Sequence, residues 1–170
     1  AEGVLRRDPE AAFYTYRMVL DDGRGTVGVL GALELSRPGE GHILPHEHTT
    51  PKAKSDRLDL LRGTRANLSA IWGLSPAAGL TALLTDPEPL ASWTGSDGTL
   101  HELGRITDAA RVAAIRDAVL HAPVVIADGH HRFETSLAYR DERRAASADG
   151  SAGAAELALT FVVELVETEL

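Results

Sequence analysis

Hydrophobic and polar positions alternate along the chain in two registers, one with the period of a strand and one with that of a helix. "AAFYTYRMVL", residues 11–20, is rich in β-branched and aromatic side chains and predicts a strand. "DDGRG" at 21–25 is a turn, and "TVGVLGALEL" at 26–35 predicts the antiparallel partner. Within that second strand, Gly28 and Gly31 mark either a close backbone approach or a bulge.

Residues 36–55, "SRPGEGHILPHEHTTPKAKS", have neither period and read as a long functional loop, with a mobile surface loop as the plain alternative. From Asp56 the spacing of Leu58, Leu61, Arg65 and Leu68 predicts a helix, with Ser55 or Asp56 as its cap and a weak point at Gly63. Trp72, Leu74, Leu80, Leu83 and Leu84 predict a further buried strand or short segments. "LASWTG" and "TLHELGRI" flank a hairpin turn at 96–98. "TDAARVAAIRDAVLHAP", 107–123, is the clearest helix, capped by Thr107 and ended by Pro123. "VVIA" at 124–127 is too apolar for a strand with a solvent face, and a helix follows from His130 to Arg144. The small residues of 145–155 read as a mobile linker or loop, and "ELALTFVVELV" as a closing strand.

This order is not a regular alternation of parallel strands and helices. It predicts an α+β fold, a mixed or antiparallel sheet with packed helices, in one domain or partial domain over 1–170. Both ends read as cut from a longer chain. Hydrophobic residues make up 44% and charged residues 25%, an ordinary soluble composition, so a core is affordable at this length. Cysteine is absent, which excludes disulfides and thiolate chemistry within the chain. The net charge of −8 disfavours nucleic acid as a partner, since a phosphate-neutralising face needs a basic block. No run is long enough to span a bilayer and no signal peptide is evident, so the expected location is cytoplasmic and no membrane partner is expected. Oligomeric state leaves no trace in the pattern.

Chemistry concentrates in two places. "VVIADGHHRFETSLAYR", residues 124–140, runs a buried strand into Asp128-Gly129 and then a helix. The first amides of a helix lack intrahelical acceptors, and the aligned peptide dipoles favour an anion there. Gly129 permits a tight exit and close approach of a ligand, His130 and His131 can donate hydrogen bonds, and Arg132 offers a fork of donors. Neither the Walker nor the dinucleotide pattern is present. Glu134 lies four residues after His130 and can orient an imidazole or help hold a metal. The bland alternative, Asp128 as a helix cap and histidines at a domain edge, explains Asp128 alone better than it explains the cluster.

The second place is "HILPHEHTTPKAKSDR". His46 and His48 would share a side if extended, offering two metal ligands to be completed by His130, His131 or Glu134, with zinc as the metal. The same loop supports another chemistry: Glu47 as general base, with His46 or His48 orienting it. Lys52, Lys54 and Arg57 would then neutralise moving phosphate charge, and Mg²⁺ would sit between the phosphates and Glu47 or Asp128. A hydrated start to the helix accounts equally well for the lysines.

These two segments, with "FYTYRMVLDDGRGTVGVLGALEL", closely resemble the signature regions of the prokaryotic domain-of-unknown-function family 1015, and the resemblance covers nearly the whole chain. More distantly, the strand-Asp-Gly-His-His-Arg-helix element resembles the Gly-x-x-Arg phosphate-binding box of the partitioning protein ParB, sulfiredoxin and the free-serine kinases. That resemblance implies a ParB/sulfiredoxin-like fold and nucleotide phosphates at Gly129, His130, His131 and Arg132. His130 stands where sulfiredoxin has its reactive Cys, which departs from thiol chemistry.

The leading expectation is a nucleotide-dependent phosphotransferase or nucleotide hydrolase, kinase-like, using ATP or ADP with Mg²⁺ on a small hydroxylated metabolite. Its catalytic candidates are Glu47, His46, His48, Asp128 and His131. Its phosphate-binding candidates are Gly129, His130, His131, Arg132, Lys54 and Arg57, and its metal candidates Glu47, Asp128 and Glu134. A metal-dependent hydrolase built on the histidine loop and a non-catalytic nucleotide-binding module are the alternatives.

Overall fold

The computed structural model describes residues 8–46 and 51–165. Its strands are β1 (Phe13–Val19), β2 (Gly25–Glu34), β3 (Ile43–Leu44), β4 (Ile71–Ser75), β5 (Glu88–Thr94), β6 (Leu100–Ile106), β7 (Val124–Asp128) and β8 (Leu157–Glu164). Its helices are α1 (Pro51–Thr64), α2 (Leu80–Leu83), α3 (Ala109–Leu120) and α4 (His130–Ala146), with a 3₁₀ turn at Gly153–Glu156. The strands form one sheet in the order β3-β7-β4-β8-β2-β1-β6-β5. Neighbours are antiparallel except β3 with β7 and β4 with β8. The fold is therefore α+β with a mixed sheet.

Local chemistry closes both hairpins. In the β1–β2 turn, the Asp22 carboxylate accepts from the Arg24 backbone N–H at 3.0 Å, and Gly23 takes φ +84°. In the β5–β6 turn, Asp97 accepts from the Thr99 N–H and hydroxyl at 3.1 and 3.0 Å. Such side-chain acceptors imitate a further turn of backbone, so Asp-containing turns are favoured over other polar sequences.

Register decides which side chains meet the helices. Val29 pairs with Val162, Ile71 with Thr160, and Gly73 with both Val162 and Ile126. These residues share one face. There Val29, Ile106, Val124 and Val162 pack with Leu80 of α2 and Ile115 of α3. Towards the other edge, Leu35, Ile43, Ile71, Ile126 and Ala158 pack with Phe133 of α4. Phe133 is 1% exposed, and burying its ring contributes about 2–3 kcal/mol to holding α4 on the sheet. The opposite face carries Phe161, Trp72, Tyr16, His101 and Trp93 in edge and stacked contacts. A Cβ at Gly28 would stand 2.6 Å from the Phe161 ring, so the glycine marks a close approach and not a bulge. Trp72 and Trp93 pack in these ring contacts while each keeps part of its ring exposed.

Several boundaries differ from the sequence expectation. The aperiodic stretch 36–55 is interrupted by β3, and α1 begins at Pro51, so Ser55 and Asp56 lie inside a helix and do not cap it. Proline is at home in the first helical position, where its missing N–H costs nothing. The α1 helix stops at Thr64, so Gly63 lies in its last turn and not at a mid-helix kink. Asp108, not Thr107, caps α3 by accepting from the Arg111 N–H at 2.9 Å. In β7, Val124 and Ile126 are buried but Ala127 and Asp128 are exposed, so the strand does reach solvent at its end. Residues 145–155 lead into the 3₁₀ turn, where the Arg144 guanidinium grips Glu156 at 2.9 and 2.5 Å.

Glu164 supplies a pH-dependent tie. Its carboxylate, 8% exposed, accepts from the Gly79 and Thr81 backbone N–H groups at 2.7 Å each, holding α2 to the end of β8. Burial pushes this carboxyl up, but the amide hydrogen bonds outweigh burial and hold it below the usual carboxylate range. Because the folded value is depressed, this stabilisation is complete above the ordinary glutamate range and is lost as pH falls through the folded value. Glu164→Gln is expected to lose about 1–3 kcal/mol at neutral pH and to flatten the acid limb of the stability–pH curve. Urea melts from pH 7 to pH 3 test this, and an unchanged acid limb would contradict it.

Candidate functional site

The site is built where β7 runs into α4. Asp128 lies opposite Trp72, and the register slips between Trp72 and Gly73, an irregularity of the kind that re-aims side chains at a sheet's working end. Gly129 then turns the chain with φ +94° and stands at the N-cap of α4 without a side-chain cap. The Phe133 N–H closes the first helical bond to the Gly129 carbonyl at 2.9 Å. Asp128 is thus not the cap, and the N-cap position makes no side-chain hydrogen bond to the first turn. A helix of 17 residues puts its positive end at this point.

The 36–46 segment reaches the same place. The His46 ring stands edge-on to His130 with centroids 4.5 Å apart, and the His46 N–H points to His130 Nε2 at 3.4 Å. His130 is buried at 4% exposure, while His46 is exposed. The Nε2 of His131 is buried and has no hydrogen-bond partner. Glu134 lies one turn into α4 and is half-buried.

Arg132 folds back on its own junction. Its guanidinium donates to the Ala70 carbonyl just before β4 and to Asp128 Oδ2 at 2.5 Å. The fork that the sequence assigns to phosphate is therefore already shared with two protein acceptors, and Asp128 serves to aim it. Arg57 of α1 faces the same region. Arg57 and Arg132 line a small cavity of about 70 Å³ with Asn67, Ser69, Thr135 and Ser136. The hydroxyl of Thr135, a residue 4% exposed, has no partner.

Of the remaining sequence candidates, Glu47 and His48 lie outside the described residues, as do the side chains of Lys52 and Lys54. Among the described residues, no three His, Asp or Glu side chains come together in a way that could hold a metal ion. The sequence reading missed Asn67, Ser69, Thr135 and Ser136. Thr135 and Ser136 fall three and four residues after Arg132, and that helical spacing was the available signal. The two loop residues carry no such signal, because only the turn between α1 and β4 brings them there.

Among the described residues no helix is long and apolar enough to cross a membrane. No curated protein and no solved structure matches the chain. A family model, described as "Protein of unknown function (DUF1015)", matches residues 1–170. The strand-Gly129-helix junction, the histidine segment packed against it and the whole length of the chain thus lie within that match, and the protein belongs to the DUF1015 family.

Proposed function

We propose that the protein binds a nucleotide with its phosphates at the first turn of α4, and transfers the terminal phosphoryl group to a small hydroxylated metabolite or to water. The observation that carries this reading is the uncapped N-terminus at Gly129, with the His46 segment packed on His130 beside it. Backbone amides and the helix dipole there favour a phosphate over water without the need for a lysine. In this reading, His131 and the remaining donors of Arg132 hold phosphate oxygens, and Arg57 neutralises charge as it moves. The likeness of Gly129–Arg132 to the ParB-type phosphate box points the same way.

Asp128 is exposed and offers one carboxylate, the kind of ligand Mg²⁺ takes when it is shared with substrate phosphates. Bound there, Mg²⁺ would supply neutralisation of the phosphate charge. Glu47 follows His46 in sequence and is the candidate base for the attacking hydroxyl. The nucleotide is ATP or ADP in this reading, in a cytoplasmic protein.

Calorimetry with ATP, ADP, CTP and GTP, with and without Mg²⁺, tests the reading on the protein and on Arg132→Ala. Saturable binding that weakens at least tenfold in the variant is expected. Thermal melting of both proteins separates lost contact from lost fold. No binding of any nucleotide would overturn the proposal, and binding without phosphoryl transfer to any hydroxylated acceptor or water would reduce it to a non-catalytic module.

A further inference from the structure

In a chain with net charge −8, arginines have no shortage of partners, and most described ones have found them. Arg17, Arg24, Arg37, Arg62, Arg105, Arg116, Arg132, Arg140 and Arg144 each pair with a carboxylate. Arg111 donates to the carbonyls of Leu83, Thr85 and Asp86. Among the described residues, the exceptions are Arg57, Arg65 and Arg143, whose guanidinium groups have neither an ion pair nor a hydrogen bond.

All three exceptions border one cleft between α1 and α4. Arg57 lines the 70 Å³ cavity already described, with Arg132 and the unpartnered Thr135 hydroxyl. Arg65 and Arg143 line a larger cavity of about 330 Å³ with Tyr139, floored by Leu61 and Leu157. Leu61, Asn67 and Ser136 border both, so the two cavities adjoin. The carboxylates around the cleft are engaged elsewhere: Glu142 on Arg62 at 2.5 Å, and Glu156 on Arg144 at 2.5 Å. Arg65 also holds φ +53° directly after the last residue of α1, a position that glycine fills without strain.

We propose that this cleft binds a small metabolite with two anionic groups, at least one of them a phosphate. One group sits between Arg57 and Thr135, and the other between Arg65 and Arg143. Thr135 and Arg143 are eight residues apart on α4, a rise of about 12 Å, which sets the separation of the charges on the order of 10 Å. The volume of the larger cavity is in the range of small-ligand sites. A guanidinium fork recognises phosphate or carboxylate in two-point fashion, so the distal group can be either. The cleft runs along the side of α4 and meets the Gly129 junction only through Arg57 and Arg132, and binding there needs no nucleotide.

The test uses the protein without nucleotide and three probes: fructose 1,6-bisphosphate, fructose 6-phosphate and inorganic phosphate. Calorimetry is expected to give bisphosphate binding at least tenfold tighter than the monophosphate. Arg65→Gln and Arg143→Gln should each bring the bisphosphate down to the monophosphate's affinity while inorganic phosphate is unaffected. Arg57→Gln should weaken all three probes. Arg24→Gln, in the distant β1–β2 turn, should change none, which controls for a general loss of positive charge. All four side chains are exposed, so the variants are expected to fold. Equal affinity for bisphosphate and monophosphate, bisphosphate binding indifferent to Arg65 and Arg143, or no binding of any probe would each overturn the proposal. Nucleotide binding at Gly129 is measured separately and can fail while the cleft still binds.

Discussion

Gly129→Ala is expected to abolish nucleotide binding, with an apparent affinity loss of at least a hundredfold, and to destabilise the fold by about 1–3 kcal/mol. Two effects add. At φ +94° a side chain is strained by its own backbone before it meets any neighbour. The new Cβ would then stand 3.2 Å from the Arg132 guanidinium carbon and 3.3 Å from the Ile71 Cα. The guanidinium could swing aside, but it is fastened to Ala70 and Asp128, and the Ile71 backbone belongs to β4 in mid-sheet. The strain is therefore relieved by moving the first turn of α4, which carries the amides proposed to hold phosphate. Urea denaturation reads the stability cost and calorimetry with ATP and Mg²⁺ reads the binding. A variant that melts below the parent yet binds nucleotide normally would remove the α4 N-terminus from the site.

Arg140→Ala is expected to destabilise the protein by about 3 kcal/mol, whereas Arg37→Ala should cost less than about 1 kcal/mol. Both arginines reach Asp141, so a count of ion pairs would treat them alike. Their surroundings decide otherwise. Arg140 is 2% exposed and also donates to the Leu35 carbonyl at 2.7 Å, joining α4 to the end of β2. Truncating it leaves that buried carbonyl without a donor, and an unpaired buried polar group costs more than the bond itself is worth. Arg37 lies at the surface, where water replaces the lost partner. Parallel urea melts of the two variants decide the matter, and equal costs would show that Leu35 is satisfied some other way.

Part of the candidate site was legible because its signal is local. Asp128-Gly129 between an apolar run and a helical period announces a strand–helix turn, and the turn falls at the residue expected. His46 was singled out for its chemistry, and the structure shows its ring packed edge-on against His130. The double duty of Arg132 was not legible. Its partner Ala70 is apolar and contributes only a backbone carbonyl, which no side-chain pattern reveals. Arg65 and Arg143 stayed hidden because a surface arginine is unremarkable until its potential partners prove to be engaged elsewhere.

The sequence by itself determined the α+β class, the β1–β2 and β5–β6 hairpins, the α3 segment and the β7–Gly129–α4 turn. Each follows from residues within about twenty positions, where turn chemistry and the periods of 2 and 3.6 act directly. Only the tertiary structure decided that β8 lies in mid-sheet, parallel to β4 and antiparallel to β2. It also decided that β3, two residues long, pairs with β7 across 81 positions, and that α1 packs along α4 to make the arginine cleft. Short apolar strands carry little information about which neighbour they join. Their order is set by the combined burial of one sheet face under the helices, a property of the assembled layers and of no single segment.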